Sequence, residues 1–357
     1  MPLQPADTSP STNSIIRTDV VVVGAGPVGL FQVFELGLLG LKAHVVDALP
    51  HVGGQCVELY GDKPIYDIPG IAACTGSELA SRLHAQAAPF APTYHLGQQV
   101  AQLQRETDGR LQLTTTTGTT FSAACVVLAC GVGAFVPRPL KLEGAETLVG
   151  TQLHYHPRDV QHVSGQRVAI LGGDEAAVQA AVHCATEADA SEIHLIHRRD
   201  VFAAPDALLA QLQALRAQGR IQVSAGQPSA LTFTSQGQLS GLTLTTPAGD
   251  SVTLAADQLL VYLGISPKLG PIAEWGLEME RKQLPVDTAS FATSEAGIYA
   301  VGDINTYRGK RKLILCGFHE ATLAAFAVAE RIQGQPPLLQ YTSSSSHLHA
   351  LLGIRSS

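Results

Sequence analysis

Charged and aromatic residues are scarce in this sequence. Of its 357 residues, 15% are Asp, Glu, Lys or Arg and 5% are Phe, Trp or Tyr. The 23 basic residues are outnumbered by 30 acidic ones, whereas a nucleic-acid-binding surface normally shows a basic excess. Disorder is excluded because 45% of the residues are hydrophobic, and the 34 glycines lack the three-residue period of collagen. We therefore expect a globular protein that does not bind nucleic acid, with enough chain for one large domain or two ordinary ones.

The sequence also lacks a convincing membrane span or signal peptide. Residues 20–41 are long enough to cross a bilayer, but Gln32 and Glu35 interrupt them, and their first half ends in a Gly-Ala-Gly-Pro turn. A buried strand, turn and helix explain this segment better. The first 16 residues are polar and lack the basic-then-apolar pattern of a signal peptide, so we expect a flexible tail and a cytoplasmic protein without a membrane span.

Cysteine is present, but in neither a redox nor a zinc pattern. None of the six cysteines forms a C-x-x-C pair, and no group of Cys and His has the spacing of a zinc site. Cys125 and Cys130 flank the apolar run CVVLAC, which indicates thiols in a core. Because a chain of this length needs no disulfide in a reducing compartment, we predict free cysteines and no metal.

Two segments with the same pattern form a long internal repeat. In the first, a strand at residues 19–23 leads through GAGPVG into a helix and then into the strand AHVVD. In the second, RVAILGG leads into the helix DEAAVQAAVHCAT and the strand EIHLIHRRD. A β-meander pattern follows each segment, at residues 96–130 and 221–254. Two such units predict two nucleotide sites in an α/β fold.

The first turn carries the pattern Gly24-x-Gly26-x-x-Gly29, with Pro27 at the start of the helix. The first glycine allows a tight turn, the second lets a pyrophosphate approach the backbone, and the third lets the helix pack on the strand. Asp47 ends the next strand, where a carboxylate accepts hydrogen bonds from ribose hydroxyls. An acid at this position favours NAD or the AMP half of FAD.

Two later stretches favour FAD over NAD at this first site. One is the strand-end pattern CVVLACGVGAFVPR, and the other is AGIYAVGDI. In the second stretch Asp303 follows Gly302, so its carboxylate is expected near the ribityl and pyrophosphate groups of FAD.

These motifs resemble those of the two-domain flavoprotein disulfide reductases, and specifically the thioredoxin-reductase-like ferredoxin–NADP reductases. The resemblance covers about residues 18–345, and its most specific stretches are GGQCVELYGDKPIYDIPG and GDINTYRGKRKLILCGFHEA. It implies two Rossmann-like, three-layer nucleotide-binding domains, with the NADPH domain inserted into a discontinuous FAD domain. The expected boundaries are 1–16 for the tail, 17–145 and 266–340 for the FAD domain, 146–265 for the NAD(P)H domain, and 341–357 for a C-terminal segment over the flavin.

The resemblance also implies which residues bind the cofactors. Tyr60 is expected to stack on one face of the flavin and Tyr341 on the other, with Ser344 near the ring. The further FAD contacts implied by the family pattern are Asp47, Gln55, Val100, Phe135 and Asp303.

The same resemblance implies an NADPH site in the second domain. Gly172 and Gly173 form its turn, and Arg198 and Arg199 match an HRR cluster that the family uses against the 2′-phosphate. A guanidinium suits that role because it forks onto phosphate and stays charged. Asp174 departs from the family pattern, because GGDEAA replaces GGGDSA and an acid stands where the close-approach glycine belongs. Either the turn is displaced and Asp174 points away, or NADPH binds weakly.

The expected activity is electron transfer between NADPH and ferredoxin or flavodoxin through FAD, without a redox disulfide. Cys56 stands in the flavin loop without a partner at Gly61, and the second domain lacks a C-x-x-C pair. The basic run of Arg308 and residues 310–312 is a candidate docking site for an acidic acceptor. A homodimer is implied by resemblance only.

Two alternatives remain open from the sequence. One is an NAD(P)H-dependent flavin reductase or diaphorase that serves a small acceptor. The other is a non-catalytic FAD-binding protein, which the acid at Asp174 suggests.

Overall fold

The computed structural model describes residues 15–157, 159–338 and 342–354, apart from the side chains of Phe135 and Pro267. The chain divides into two compact units. The first unit consists of the chain up to Phe135 together with the chain from Pro267, and the second is Val136–Ser266.

The strands of the described residues vary from two to nine residues in length. In chain order they are β1 (Ile16–Val23), β2 (Ala43–Val46), β3 (Pro64–Ile65), β4 (Cys74–Thr75), β5 (Thr93–His95), β6 (Val100–Arg105), β7 (Leu111–Thr115), β8 (Thr120–Leu128), β9 (Ala134–Pro137), β10 (Leu153–Tyr155), β11 (Arg167–Gly172), β12 (Glu192–His197), β13 (Gln222–Ala225), β14 (Gln227–Phe233), β15 (Leu239–Thr245), β16 (Ser251–Ala255), β17 (Gln258–Tyr262), β18 (Ile265–Lys268), β19 (Leu284–Pro285), β20 (Ile298–Ala300) and β21 (Asn305–Thr306).

The described helices are α1 (Pro27–Leu38), α2 (Gly54–Tyr60), α3 (Gly76–Ala87), α4 (Glu175–Thr186), α5 (Asp206–Ala217), α6 (Ile314–Gln333) and α7 (Ser346–Leu351). All described helices except α6 are shorter than a bilayer crossing requires. None of the helices in the described ranges combines the length and the apolar character of a membrane span. Short 3₁₀ turns add Ala88–Phe90, Ala145–Leu148, Gln161–Val163, Gly270–Glu274, Gly302–Ile304 and Thr342–Ser344.

The first unit is built on a seven-stranded sheet. Its strand order is β5-β2-β1-β8-β7-β6, and β20 also pairs with β8. The strands β5, β2, β1, β8 and β20 are parallel, while β6, β7 and the first half of β8 form an antiparallel meander. Residues 20–23 of β1 are all buried, as expected for a parallel strand covered on both faces. One core packs α1 and α6 on one face of the sheet, and another packs residues 272–286 on the opposite face and extends along the meander strands.

The second unit is built from three layers. A parallel sheet of order β10-β17-β11-β12-β13 is covered on one face by α4 and α5. The antiparallel sheet β14-β15-β16 contributes apolar residues to the core on the other face. This structure confirms the predicted α/β class with two Rossmann-like, three-layer domains, one of them discontinuous.

Local sequence explains where several helices begin and end. Thr75 and Glu78 form a reciprocal capping box at the start of α3, with the Glu78 N–H donating to Thr75 Oγ1 over 3.1 Å. Gly334 ends α6 in the left-handed region, at φ 75°, which glycine adopts without strain. These ends follow from residues within a few positions of each other, so they are readable from sequence.

The structure differs from two of the sequence expectations. The chain enters the second unit after Phe135, so residues 136–145, which we assigned to the FAD domain, belong with the second unit. The reason is burial, because Leu140 and Ala145 pack with Leu148 and Leu153 in the second unit's core. The second meander is also shorter than 221–254, since β13 pairs in parallel with β12 as an edge of the main sheet.

Candidate functional site

A cavity of about 420 Å³ lies in the first unit. The ends of four sheet strands and the starts of three helices, α1, α2 and α6, contribute to its lining. The predicted residues that line it are Gly24, Gly26, Pro27, Asp47, Gln55, Tyr60, Val100 and Asp303. One fold feature therefore brings together most of the residues predicted to contact FAD.

Four predicted FAD residues are not seen at the cavity. Gly29 does not line it and instead lies against the carbonyl oxygen of Gly24. Tyr341 lies outside the described residues, as does the side chain of Phe135. Ser344 ends an exposed 3₁₀ turn and does not line the cavity. The following helix α7 contacts the Ala88–Phe90 turn, and the described residues 342–354 do not line the cavity.

The glycine turn between β1 and α1 has the geometry that a dinucleotide requires. Gly24 has φ 112°, and a Cβ there would lie 2.5 Å from the carbonyl oxygen of Ala129. A Cβ on Gly26 would meet nothing within 4 Å, so this position faces open space. A Cβ on Gly29 would collide with the carbonyl oxygen of Gly24. Gly24 and Gly29 thus permit the turn and its packing, while Gly26 leaves the helix N-terminus open to an anion.

Asp47 connects the end of β2 to this turn. Its Oδ2 accepts a hydrogen bond from Ala25 N over 2.6 Å, and its Oδ1 accepts one from Leu49 N over 2.8 Å. Burial raises the pKa of Asp47 above its usual range, and the two N–H donors and His51 act in the opposite direction. Each carboxylate oxygen keeps acceptor capacity, which suits ribose hydroxyls on the cavity side.

A buried ionic network fixes the Gly302–Asp303 turn, and sequence reasoning missed it. Glu320 of α6 is 0% exposed, and its Oε2 accepts from Gly302 N at 2.7 Å and Asn305 Nδ2 at 2.8 Å. Its Oε1 accepts from Tyr307 Oη at 2.9 Å and from Lys310 Nζ. The one available signal was a lone acid in the apolar helix sequence ILCGFHEATLAAFA.

Lys310 belongs to this network and not to a docking surface. Its side chain is 7% exposed, and Nζ also donates to the carbonyl oxygen of Gly302 over 2.8 Å. The basic run is therefore smaller than the sequence suggested. Arg308, Arg311 and Lys312 remain exposed, and Lys312 lines the cavity.

The cysteines of the chain are all free thiols. Cys56 and Cys130 line the cavity, where burial raises their pKa values to about 11 and about 12. These thiols are therefore protonated and weakly nucleophilic at neutral pH. The described residues contain no group of three or more His, Cys, Asp or Glu that could hold a metal ion.

The second unit repeats the strand–turn–helix motif, but an acid closes the turn. Asp174 is the N-cap of α4, and its Oδ1 accepts from Ala177 N over 3.1 Å. Gly172 and Gly173 precede it, and a Cβ on Gly173 would lie 2.6 Å from the ring of His197. Arg198 and Arg199 are exposed directly after β12.

Two glycine turns, each between a parallel strand and a helix, define a protein with two dinucleotide-binding Rossmann-like domains. The model of the pyridine nucleotide-disulphide oxidoreductase family matches residues 18–321. The chain belongs to this family.

Known proteins resemble the chain over nearly its whole length. A relative from Acidovorax sp. (strain JS42), named ferredoxin–NADP reductase, is 61% identical over 97% of this chain and 98% of its own. A relative of the same name from Verminephrobacter eiseniae is 56% identical, over 95% of this chain and 98% of its own. Among solved structures, the thioredoxin reductase of T. acidophilum matches with a TM-score of 0.56 at 20% identity, over 89% of this chain and 99% of that one. The last likeness shows a shared fold.

Proposed function

We propose that this protein transfers electrons between NADPH and ferredoxin through bound FAD. The observation that carries the proposal is the 61% identity to a relative named ferredoxin–NADP reductase, which extends over 97% of the chain. The cavity of the first unit supports it, because the residues there fit a dinucleotide. Gly26 is open, and no side chain caps the N-terminus of α1.

The residues of the first unit would hold FAD in a defined orientation. The N–H groups at the start of α1 attract the pyrophosphate, and Asp47 accepts from the ribose hydroxyls of the AMP half. Tyr60 is 38% exposed at the cavity, where its ring can lie against the flavin. The Glu320 network holds Asp303 at the cavity wall by fixing the neighbouring Gly302. When bound, FAD supplies the exchange between a two-electron donor and a one-electron acceptor.

We also propose that electrons leave the cofactor directly, without a redox disulfide. The sequence has no C-x-x-C pair, and its thiols are free. Since burial keeps Cys56 and Cys130 protonated, neither is primed for thiol exchange. Free thiols throughout the chain also support the cytoplasm as its location.

The partner is proposed to be a small acidic electron carrier, ferredoxin or flavodoxin. Arg308, Arg311 and Lys312 place positive charge close to the cavity-lining residues Leu313 and Ile314. The exposed side chains of Leu313 and Leu315 add apolar area to that surface. Complementary charge would speed encounter with an acidic partner. A homodimer remains a proposal from family resemblance.

Anaerobic titration of the holoenzyme with NADPH and NADH in parallel tests this function. We expect NADPH to remove the visible absorbance of the flavin, and the reduced enzyme to pass electrons to ferredoxin in a coupled cytochrome assay. Rapid turnover with quinones and none with ferredoxin or flavodoxin would favour a diaphorase instead. Failure of millimolar NADPH to reduce the flavin would favour a non-catalytic FAD-binding protein.

A further inference from the structure

The two glycine turns differ at one structurally equivalent position. Gly26 is the N-cap of α1 in the first unit, and Asp174 is the N-cap of α4 in the second. The first N-cap offers no side-chain acceptor to its helix, whereas the Asp174 carboxylate accepts from Ala177 N. The N-terminus of α4 therefore already has an anion bound to it, supplied by the chain itself.

The turn around Asp174 is held in place from its other side. Ala203 N donates to the carbonyl oxygen of Gly173 over 2.8 Å, and Asp174 and Ala203 form an isolated parallel bridge. The ring of His197 lies against Gly173, and its Nδ1 is 2.9 Å from the carbonyl oxygen of Val201. With the backbone fixed in this way, displacement of the turn does not remove the carboxylate from the helix N-terminus.

We propose that Asp174 occupies the position of a nucleotide pyrophosphate and weakens the binding of NADPH and NADH by the same factor. This inference rests on the proposed function, in that the second unit binds a nicotinamide dinucleotide. A pyrophosphate at this turn would compete with the carboxylate for the N–H groups of α4 and would be repelled by its charge. Asp174 is half-buried, so water and salt reduce that repulsion.

The proposal separates affinity from coenzyme choice. Both nucleotides carry the same pyrophosphate, so Asp174 acts on both alike. Only NADPH carries the 2′-phosphate, so the preference between them depends on Arg198 and Arg199. Asp174 thus makes total affinity low and leaves the 2′-phosphate contact to decide which coenzyme binds.

Equilibrium binding to the oxidised holoenzyme tests the proposal without turnover. The Kd values for NADP⁺ and NAD⁺ are measured by calorimetry for wild type, Asp174→Asn and Asp174→Gly. Asparagine keeps the helix cap and removes the charge, so Asp174→Asn isolates electrostatics from stability. Both Kd values should fall together by about 10-fold or more in Asp174→Asn. Asp250→Asn, a charge removal in the exposed β15–β16 turn, should change neither Kd.

Several results would overturn the proposal. Equal or weaker binding by Asp174→Asn would mean that the carboxylate does not oppose the pyrophosphate. Tighter binding of NADP⁺ alone would mean that the Asp174 carboxylate acts on the 2′-phosphate and not on the pyrophosphate. Absence of binding by wild type and both variants would show that Asp174 is not what limits affinity. If Asp174→Asn unfolds, Asp174→Ser supplies a second uncharged cap for the same measurement.

Failure of the proposed function is a distinguishable result. If the enzyme does not reduce ferredoxin, Asp174→Asn should still bind NADP⁺ and NAD⁺ more tightly than wild type does. Conversely, an enzyme that reduces ferredoxin with unchanged Kd values in Asp174→Asn keeps its proposed function and loses this inference.

Discussion

Glu35 is the one charged residue of α1. It lies in α1, and burial raises its pKa from an ordinary 4.5 to about 7. A folded pKa above the unfolded one means that the charged carboxylate is disfavoured in the native state. Its contribution to stability is present below pH 4.5 and is lost as pH rises through about 7.

Replacing Glu35 should therefore stabilise the protein only at higher pH. We expect Glu35→Gln to raise the free energy of unfolding at pH 8 by about 1 to 2 kcal/mol, discounted for partial exposure. The effect at pH 4.5 should be close to zero. Urea unfolding at both pH values measures the difference, and Glu330→Gln on exposed α6 surface serves as the control. An equal rise in the free energy of unfolding at both pH values would contradict a raised pKa of Glu35 as the cause.

At the same scale, Gly24 combines a positive φ of 112° with a close approach to a neighbouring carbonyl. Gly24→Ala should cost stability and abolish FAD binding, because the new Cβ meets the Ala129 carbonyl at a left-handed φ. Gly40 is a matched control, since its φ is 76° and a Cβ there meets nothing within 4 Å. Gly40→Ala should cost about 1 kcal/mol and retain FAD. The measurement is the flavin absorbance per chain after purification. Equal FAD retention by the two variants would show that the approach of residue 24 to the Ala129 carbonyl is unimportant.

At the scale of elements, α6 and the loop before it are joined by one buried carboxylate. Glu320 bonds to the backbone of Gly302 and to side chains of residues 305, 307 and 310. Burial and the Glu320 carboxylate raise the pKa of Tyr307 to about 12, so its hydroxyl stays a donor. The network therefore fixes the loop that lines the cavity through contacts to a carboxylate buried in α6.

Removing the Glu320 charge should damage both stability and cofactor binding. Glu320→Gln leaves the Lys310 ammonium buried without its counter-charge, at a cost of about 3 kcal/mol. Tyr307→Phe removes a single hydrogen bond and should cost about 1 kcal/mol. Calorimetry and the Kd for FAD measure the two effects. If Glu320→Gln costs no more stability than Tyr307→Phe, the ion pair has no special role. In that case, adding Lys310→Met to Glu320→Gln should not restore any stability.

At the scale of the whole molecule, we expect the exposed basic residues to set the rate at which an acidic electron carrier associates. Arg308→Glu with Arg311→Glu should lower kcat/KM for ferredoxin about 10-fold at low salt and flatten its salt dependence. Lys42→Glu with Arg82→Glu is the control, because both residues are exposed in the same unit and line neither the cavity nor the pocket beside Arg308. Reduction of ferricyanide controls for flavin reactivity. A similar loss in both double variants would mean that net charge matters and docking position does not.

Short-range patterns explain how much of this molecule could be predicted. The two glycine turns, the acid that ends β2 and the class of fold follow from residues close together in the chain. The boundary at Phe135 could not be predicted in this way, because residues 136–145 are placed by packing against Leu148 and Leu153. For the same reason β13 looked like part of a meander, although its partner is β12, 28 residues earlier in the register His194–Gln222.

The sequence by itself determined the two strand–turn–helix motifs, because glycine, proline and a strand-end acid act through local backbone geometry. Only the tertiary structure decided the fate of Lys310 and Glu320. In sequence one belongs to a basic run and the other to an apolar helix, and burial turns them into one ion pair behind the cavity. Asp174 is the opposite case, because its partner Ala177 N is three residues away and the cap is local. Charge in a sequence has a sign, but its partner and its solvation are set by the fold.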